Sequence, residues 1–389
     1  MSGISFEFSI FLIFTGAAVL ATLALFVRQA MIVAYILLGI LLGPWGLGLV
    51  DDTELIGEIS NIGIIFLLYL LGLDLFPQQL LQMLGEALSA TLISSIVFCL
   101  MGFGIGYLFD FPVLESLLIG AVLMFSSTII GVKLLPTTIL HHRHTGQIII
   151  SVLLLQDLLA ILVLLLLQGY GKGENLLMDI IWQIATLPVL IGITWLLERF
   201  VLVKLITRYD QIHEYIFLLA IAWCLGIAEL SVVLGLSHEI GAFIAGVTLA
   251  SSPIALFITE RLKPLRDFFL IIFFFALGAT FNMDGIRELI LPALLLTLCV
   301  IVVKPLVFMA LFIRAGENKG ISQEVGFRLG QISEFSMLIA VLAVESNFIE
   351  EKTSYLIQLA TLLTFIVSSY IIVRRYPTPI AVSDRLRRD

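Results

Sequence analysis

The chain has 389 residues, of which 60% are hydrophobic and 13% charged. Its mean hydropathy is +1.13. Soluble domains carry about 25% charged residues, so this balance excludes a soluble enzyme, a disordered chain and a nucleic-acid binder. What remains is an integral membrane protein with the lipid bilayer as its surroundings. A spanning helix takes about 20 residues. Thirteen such helices leave roughly ten residues per connection, so no sizeable domain fits outside the membrane.

Apolar runs predict spans at about 8–26, 30–49, 56–73, 84–109, 113–135, 145–168, 178–203, 212–231, 237–252, 255–279, 286–313, 321–345 and 353–373. The first is no signal peptide. No positive residue precedes it, Glu7 sits at its start and no small-residue cleavage site follows. An odd number of spans puts the termini on opposite sides. With the N-terminus outside, 17 of the 21 Lys and Arg residues fall inside, Arg328 among them. Only Lys172, Arg287 and Lys352 fall outside, and Lys304 lies within a span. That asymmetry is the positive-inside pattern. It predicts a multi-pass protein of the cell's inner membrane with a cytoplasmic tail at 377–389. The three cysteines, Cys99, Cys224 and Cys299, all lie in apolar runs and read as packing residues.

The chain repeats itself. Tyr35–Gly43 (YILLGILLG) resembles Ala242–Ala250 (AFIAGVTLA), pairing Gly39 with Gly246. Ile64–Leu75 (IIFLLYLLGLDL) resembles Leu270–Phe281 (LIIFFFALGATF), pairing Gly72 with Gly278. Spans two and three therefore match nine and ten at an offset of 206 to 207. Seven spans separate the copies, so the repeat is inverted, with six spans in each copy and 178–203 as a linker. Transporters built this way place their sites where helices of the two halves are interrupted. Two spans are interrupted at matching depth. Span five carries Ser126, Ser127 and Thr128, and span twelve carries Gly330-Gln331-Ile332-Ser333-Glu334-Phe335-Ser336. The repeat offset carries Thr128 onto Glu334. Freed backbone and half-helix ends at such breaks can hold a cation, while hydroxyls also glue helices together.

Ionisable groups inside the bilayer are costly and point to function. Asp157 lies in SVLLLQDLLAILVLLLL of span six. Burial favours its neutral form and a bound cation favours its carboxylate, so one group under both influences can exchange a proton for a cation. Gln156 offers a carbonyl oxygen, either to orient Asp157 or to help coordinate the cation. Lys304, in TLCVIVVKPLVF of span eleven, is the second isolated charge, and Asp157 and Glu334 are its expected partners. Glu334 either shapes the site or pairs with a basic group, and Ser333 and Ser336 support it. Glu229 and Glu239 read as interfacial, and Asp74 as a solvated carboxylate at a helix end.

These residues carry a family resemblance. Ser126-Ser127-Thr128, Gln156-Asp157, GAFIAGVTLA at 241–250, FFFALGATF at 273–281, Lys304 and GQISEFS at 330–336 resemble the monovalent cation:proton antiporter-2 family, and within it the Kef-type potassium efflux systems. The resemblance covers nearly the whole chain, and the Gln-Asp pair is its most specific element. It implies an all-α polytopic fold of about 13 transmembrane helices in two inverted repeats, with helices five and twelve crossing at their breaks. Residues 1–376 would form the antiporter domain. Within it, about 1–82 and 212–284 would form a homodimer, and about 84–168 and 286–373 a core that moves as an elevator. Asp157 would be the ion-binding carboxylate, with Gln156, Thr128 and Ser127 beside it. The cargo would be K⁺ or Na⁺ against H⁺, with K⁺ favoured by Gln156, and no cofactor would be needed. Two departures follow. The sequence shows no Gly-rich nucleotide-binding fingerprint before Asp389, so a C-terminal regulatory domain is either lacking or lies outside this chain. The segment FITERLKPLRDFF is basic where glutathione-gated relatives are acidic, which predicts no glutathione gating.

The leading expectation is electroneutral one-for-one exchange. A ligand-gated cation channel is the second class, without a TVGYG-like filter to support it. An intramembrane metalloenzyme is the third. His141-His142-Arg143-His144, Asp51-Asp52-Thr53-Glu54 and His238-Glu239 lack ligand spacing and read as solvated loops.

Overall fold

The computed structural model describes residues 6–50, 53–75, 77–133, 144–170, 176–209, 211–250, 252, 254–281 and 286–378. Helices and their connections account for the described residues, with no β-strand among them. In chain order the helices are α1 (Phe6–Phe26), α2 (Met31–Leu42), α3 (Thr53–Asp74), α4 (Pro77–Leu108), α5 (Val113–Leu123), α6 (Thr128–Lys133), α7 (His144–Tyr170) and α8 (Leu176–Leu197). A π-turn, Glu198–Leu202, joins α8 to α9 (Val203–Arg208). Then come α10 (His213–Val233), α11 (His238–Ala250), α12 (Ala255–Ala279), α13 (Ile286–Arg314), α14 (Lys319–Arg328), α15 (Glu334–Glu345) and α16 (Glu351–Arg375).

Seven of the described helices carry stretches long and apolar enough to cross a membrane, and α2, α5 and α11 are shorter apolar helices. Several expected spans are cut short for local reasons. Span two stops at Leu42 because Gly43-Pro44-Trp45-Gly46 follows and breaks helical bonding. Span five divides into α5 and α6 around Met124–Ser127, and span twelve into α14 and α15 around Leu329–Ser333. Small and hydroxyl residues at both places give the backbone alternatives to helix.

The chain falls into two compact units. The first comprises Met1–Phe14, Leu38–Leu81 and Leu165–Thr280. Within it α3 packs against α11 and α12, and α10 packs against α11. Two glycine contacts there are related by the repeat. A Cβ on Gly39 would fall on Phe275 O and lie 2.8 Å from Ala279 N. A Cβ on Gly246 would fall on Tyr69 O and lie 2.8 Å from Leu73 N. Tyr69 and Phe275, like Leu73 and Ala279, stand 206 apart, and Gly39 and Gly246 stand 207 apart. Each copy thus lends its glycine to the backbone of the other copy. A two-fold relation generates reciprocal contacts of this kind, and only a residue without a side chain lets the backbones approach so closely.

The second unit comprises Thr15–Leu37, Gln82–Leu164 and Phe281–Asp389. Here α13 packs against α14 and α16, while α5 packs against α15 and α16. The same offset recurs. A Cβ on Gly120 of α5 would meet Cys99 O of α4, and one on Gly326 of α14 would meet Pro305 O of α13 at 2.6 Å. All the geometry of the site below lies within this unit.

Candidate ion-exchange site

The interruptions in α5/α6 and α14/α15 leave backbone groups without helical partners. In lipid each such group would cost several kcal/mol, so they must be met from inside the protein. Several of them are, and the donors, each bonded to the helix that follows its break in the repeat, stand 206 residues apart. Ser126 N donates to Gln156 Oε1 of α7 at 2.9 Å. Its equivalent, Ile332 N, donates to Thr364 Oγ1 of α16 at 3.2 Å. Ser127 caps α6 by accepting from Ile130 N at 3.1 Å. Its equivalent, Ser333, caps α15 by accepting from Phe335 N at 3.1 Å. A hydroxyl cap of this kind satisfies one orphan donor in the first turn.

The two breaks also bind each other. Ser126 Oγ donates to Leu329 O at 2.8 Å, and Ser336 Oγ donates to Val122 O at 2.7 Å. Gln331 Nε2 reaches Arg328 O at 2.9 Å and Ser127 O at 3.4 Å. Thr128 Oγ1 donates to Glu334 Oε1, joining the two residues that the repeat offset pairs. Glu334 is buried at the first position of α15.

Lys304 is wholly buried on α13. Its expected carboxylate partners, Asp157 and Glu334, are not the groups it bonds. Nζ donates to Phe125 O at 2.8 Å and to Gln331 O at 3.0 Å, and lies 5.1 Å from the centroid of the Phe98 ring. The physical reason is the breaks themselves. α5 and α14 end there, and a cation suits the carbonyl ends of both half-helices.

Asp157 is buried on α7, directly after Gln156. Gln156 is wholly buried too, and its oxygen already accepts the Ser126 N–H. The second of its two expected roles, supplying an oxygen to a cation, therefore competes with a structural one: it props open the break beside Asp157. Its Nε2 is buried and has no hydrogen-bond partner among the described residues.

Among the described residues no cluster of three or more His, Cys, Asp or Glu residues could hold a metal ion. Asp51, Asp52, His141, His142 and Arg143 lie outside the described residues. His144 opens α7 with Nε2 2.6 Å from Glu317 Oε1. His238 lies 3.1 Å from Glu229 on an exposed surface. The three cysteines are free, with Cys224 buried and Cys99 and Cys299 half-buried.

Among the described residues of this second unit, two buried charged residues escaped the sequence reading. Glu115 on α5 accepts from Thr353 Oγ1 and from Glu350 N (3.3 Å) at the start of α16. It lies two residues into the predicted span 113–135, where an acidic residue does not stand out from the connection before it. Arg328 counted as an inside-face charge, yet it is wholly buried at the end of α14. The neighbouring Glu324, four residues earlier, was the signal available for it.

The chain as a whole is similar to known proteins. Residues 10–374 match the family described as sodium/hydrogen exchanger, transmembrane. The chain is 30% identical over 367 residues to K(+) efflux antiporter 4 of Arabidopsis thaliana, covering 92% of this chain and 62% of that protein. It is also 30% identical over 372 residues to K(+) efflux antiporter 5 of the same plant, covering 92% and 64%. The chain thus spans about six-tenths of the length of these relatives. The solved structure of the sodium proton antiporter MjNhaP1 from Methanocaldococcus jannaschii aligns with a TM-score of 0.72 at 18% identity, covering 93% of this chain and 94% of that one. That last likeness speaks to the fold. On these matches the chain belongs to the sodium/hydrogen exchanger family, in its monovalent cation:proton antiporter-2 branch with the Kef-type antiporters.

Proposed function

We propose that this chain exchanges a monovalent cation for H⁺ across a membrane, with Asp157 binding one or the other in turn. The carrying observation is a buried carboxylate next to Gln156, whose amide holds open the break of α5 and α6. A buried carboxylate is stable either protonated or neutralised by a cation, which makes the two ligands mutually exclusive. Thr128, Ser127 and Gln156 complete the surroundings, with Lys304, Glu334, Ser333 and Ser336 holding the two breaks together. Relatives named as K(+) efflux antiporters favour K⁺ as cargo, with Na⁺ as the alternative.

In this reading the parts around 84–168 and 286–373 move as an elevator against a dimer formed by 1–82 and 212–284, with 178–203 as linker. The N-terminus faces outside and the C-terminus the cytoplasm. Exchange is one-for-one and electroneutral, since one carboxylate titrates and Lys304 is committed to two carbonyls. The test is purified protein in liposomes with an imposed proton gradient and an entrapped pH dye. KCl or NaCl should dissipate the gradient with saturable kinetics. Unitary currents in a planar bilayer would instead identify a channel.

A further inference from the structure

Arg328 carries a charge that the exchange reaction does not use, and it is wholly buried. It ends α14, one residue before the break. Nε donates to Glu324 Oε1 at 2.9 Å, one turn back on the same helix. Nη2 donates to Pro377 O at 2.8 Å. The chain reaches that point by leaving α16 at Arg375 and turning extended at Tyr376 (φ −126, ψ 157). It is then held flat against α14. The guanidinium of Arg328 lies 5.7 Å from the Tyr376 ring, that of Arg375 lies 5.1 Å from the Phe327 ring, and the Phe327 and Tyr376 rings are 6.0 Å apart. Thr378 is fully buried at the end of this strap.

The other side of Arg328 faces the site. Its carbonyl accepts from Gln331 Nε2 at 2.9 Å, and the next carbonyl, Leu329 O, accepts from Ser126 Oγ at 2.8 Å. Gln331 in turn gives its backbone oxygen to Lys304 and accepts from Ser368 Oγ of α16 at 3.1 Å. One residue thus joins the chain after α16 to the end of α14 that the break bonds depend on. A buried guanidinium held by a carboxylate and a carbonyl costs much to disengage, so a shift of the strap is transmitted to α14 rather than absorbed.

We infer that Arg328 is a positioning residue for the exchange site: it ties Tyr376–Thr378 to α14 and so sets the register of the Leu329–Ser333 break on which cation binding depends. The inference rests on the exchange reading above, and its test has an arm that does not. In liposomes Arg328→Gln should raise the half-saturating cation concentration at least threefold, with the maximal rate within about twofold. Arg328→Lys, which keeps the charge but reaches fewer partners, should recover part of the shift. Tyr376→Ala, which loosens the strap without leaving a buried charge unpaired, should move half-saturation in the same direction. Hydrogen–deuterium exchange of the full-length protein in detergent gives the independent arm. Amides at 329–336 should exchange at least several-fold faster in Tyr376→Ala and Arg328→Gln. Unchanged exchange at 329–336 in folded Tyr376→Ala protein overturns the inference, whatever the transport result. So does a loss of maximal rate with half-saturation unchanged.

Discussion

Phe125 and Gln331, 206 residues apart, turn their backbone oxygens onto the same ammonium, that of Lys304, at 2.8 and 3.0 Å. They are equivalents under the internal repeat, so one side chain serves both copies. Lys304 itself stands 206 residues after Phe98, whose ring it overlies. The copies differ at that position, phenylalanine in one and lysine in the other, so a single cation closes both breaks.

Lys304→Met tests this arrangement. It keeps the volume and removes the donor, leaving two buried carbonyls without partners. Each orphan costs about 1–3 kcal/mol. Thermal unfolding in detergent should fall accordingly, and Lys304→Arg should restore less than the wild-type value because a planar fork fits two converging carbonyls poorly. A Lys304→Met protein melting at the wild-type temperature would show that water meets these carbonyls instead.

Gly39 and Gly246 should respond alike. Each faces the backbone of the other copy, so a side chain cannot be accommodated by a rotamer change. Gly39→Val and Gly246→Val should each destabilise by about 1–3 kcal/mol or more, read as melting temperature and yield of monodisperse protein. A large effect at one position and none at the other would break the reciprocity.

Much of this was legible beforehand, for a physical reason. A repeat leaves its mark at positions where packing admits one residue type, so Gly39, Gly72, Gly246 and Gly278 could be paired, and Thr128 could be carried onto Glu334. Polar residues inside apolar runs are expensive and stand out, which exposed Asp157, Gln156 and Lys304. What could not be read was the partner of Lys304, because backbone carbonyls are present at every residue and only the breaks free particular ones. Arg328 was hidden by the charge-counting rule that orients the chain. The rule assigns basic residues to the inside face and cannot see one that folds back beneath a strap.

Gln156 separates a prop from a ligand. Gln156→Leu leaves Ser126 N–H without its acceptor, at a cost of about 1–3 kcal/mol, and should lower both stability and exchange. Gln156→Glu keeps an acceptor for that N–H while adding charge beside Asp157. It should therefore hold the melting temperature closer to wild type while changing the proton-to-cation stoichiometry or the voltage response. Equal melting temperatures for Gln156→Leu and wild type would remove the prop.

Asp157→Asn is the decisive change for the site. It preserves size and burial and removes the only chemistry that can alternate between a proton and a cation in this reading. Exchange should drop to the background of empty liposomes while the protein elutes and melts like wild type. Residual saturable exchange above a few per cent would move the ion-binding role elsewhere.

Competition at one carboxylate also fixes the sign and slope of the pH dependence. As pH falls, protons occupy the Asp157 carboxyl and the cation must displace them. Once that group is mostly protonated, mass action raises the half-saturating cation concentration about tenfold for each further pH unit. Maximal rate need not follow. The transported unit carries one positive charge in either direction, so a clamped potential should leave the rate at fixed pH unchanged. The measurement is the dye assay at a series of symmetrical pH values, with valinomycin and defined K⁺ gradients setting the potential when Na⁺ is the transported ion. A half-saturation that is flat with pH would reject competition at one group. A rate that rises steadily with potential would instead require a second proton, and the buried Lys304 would be the first group to examine for it.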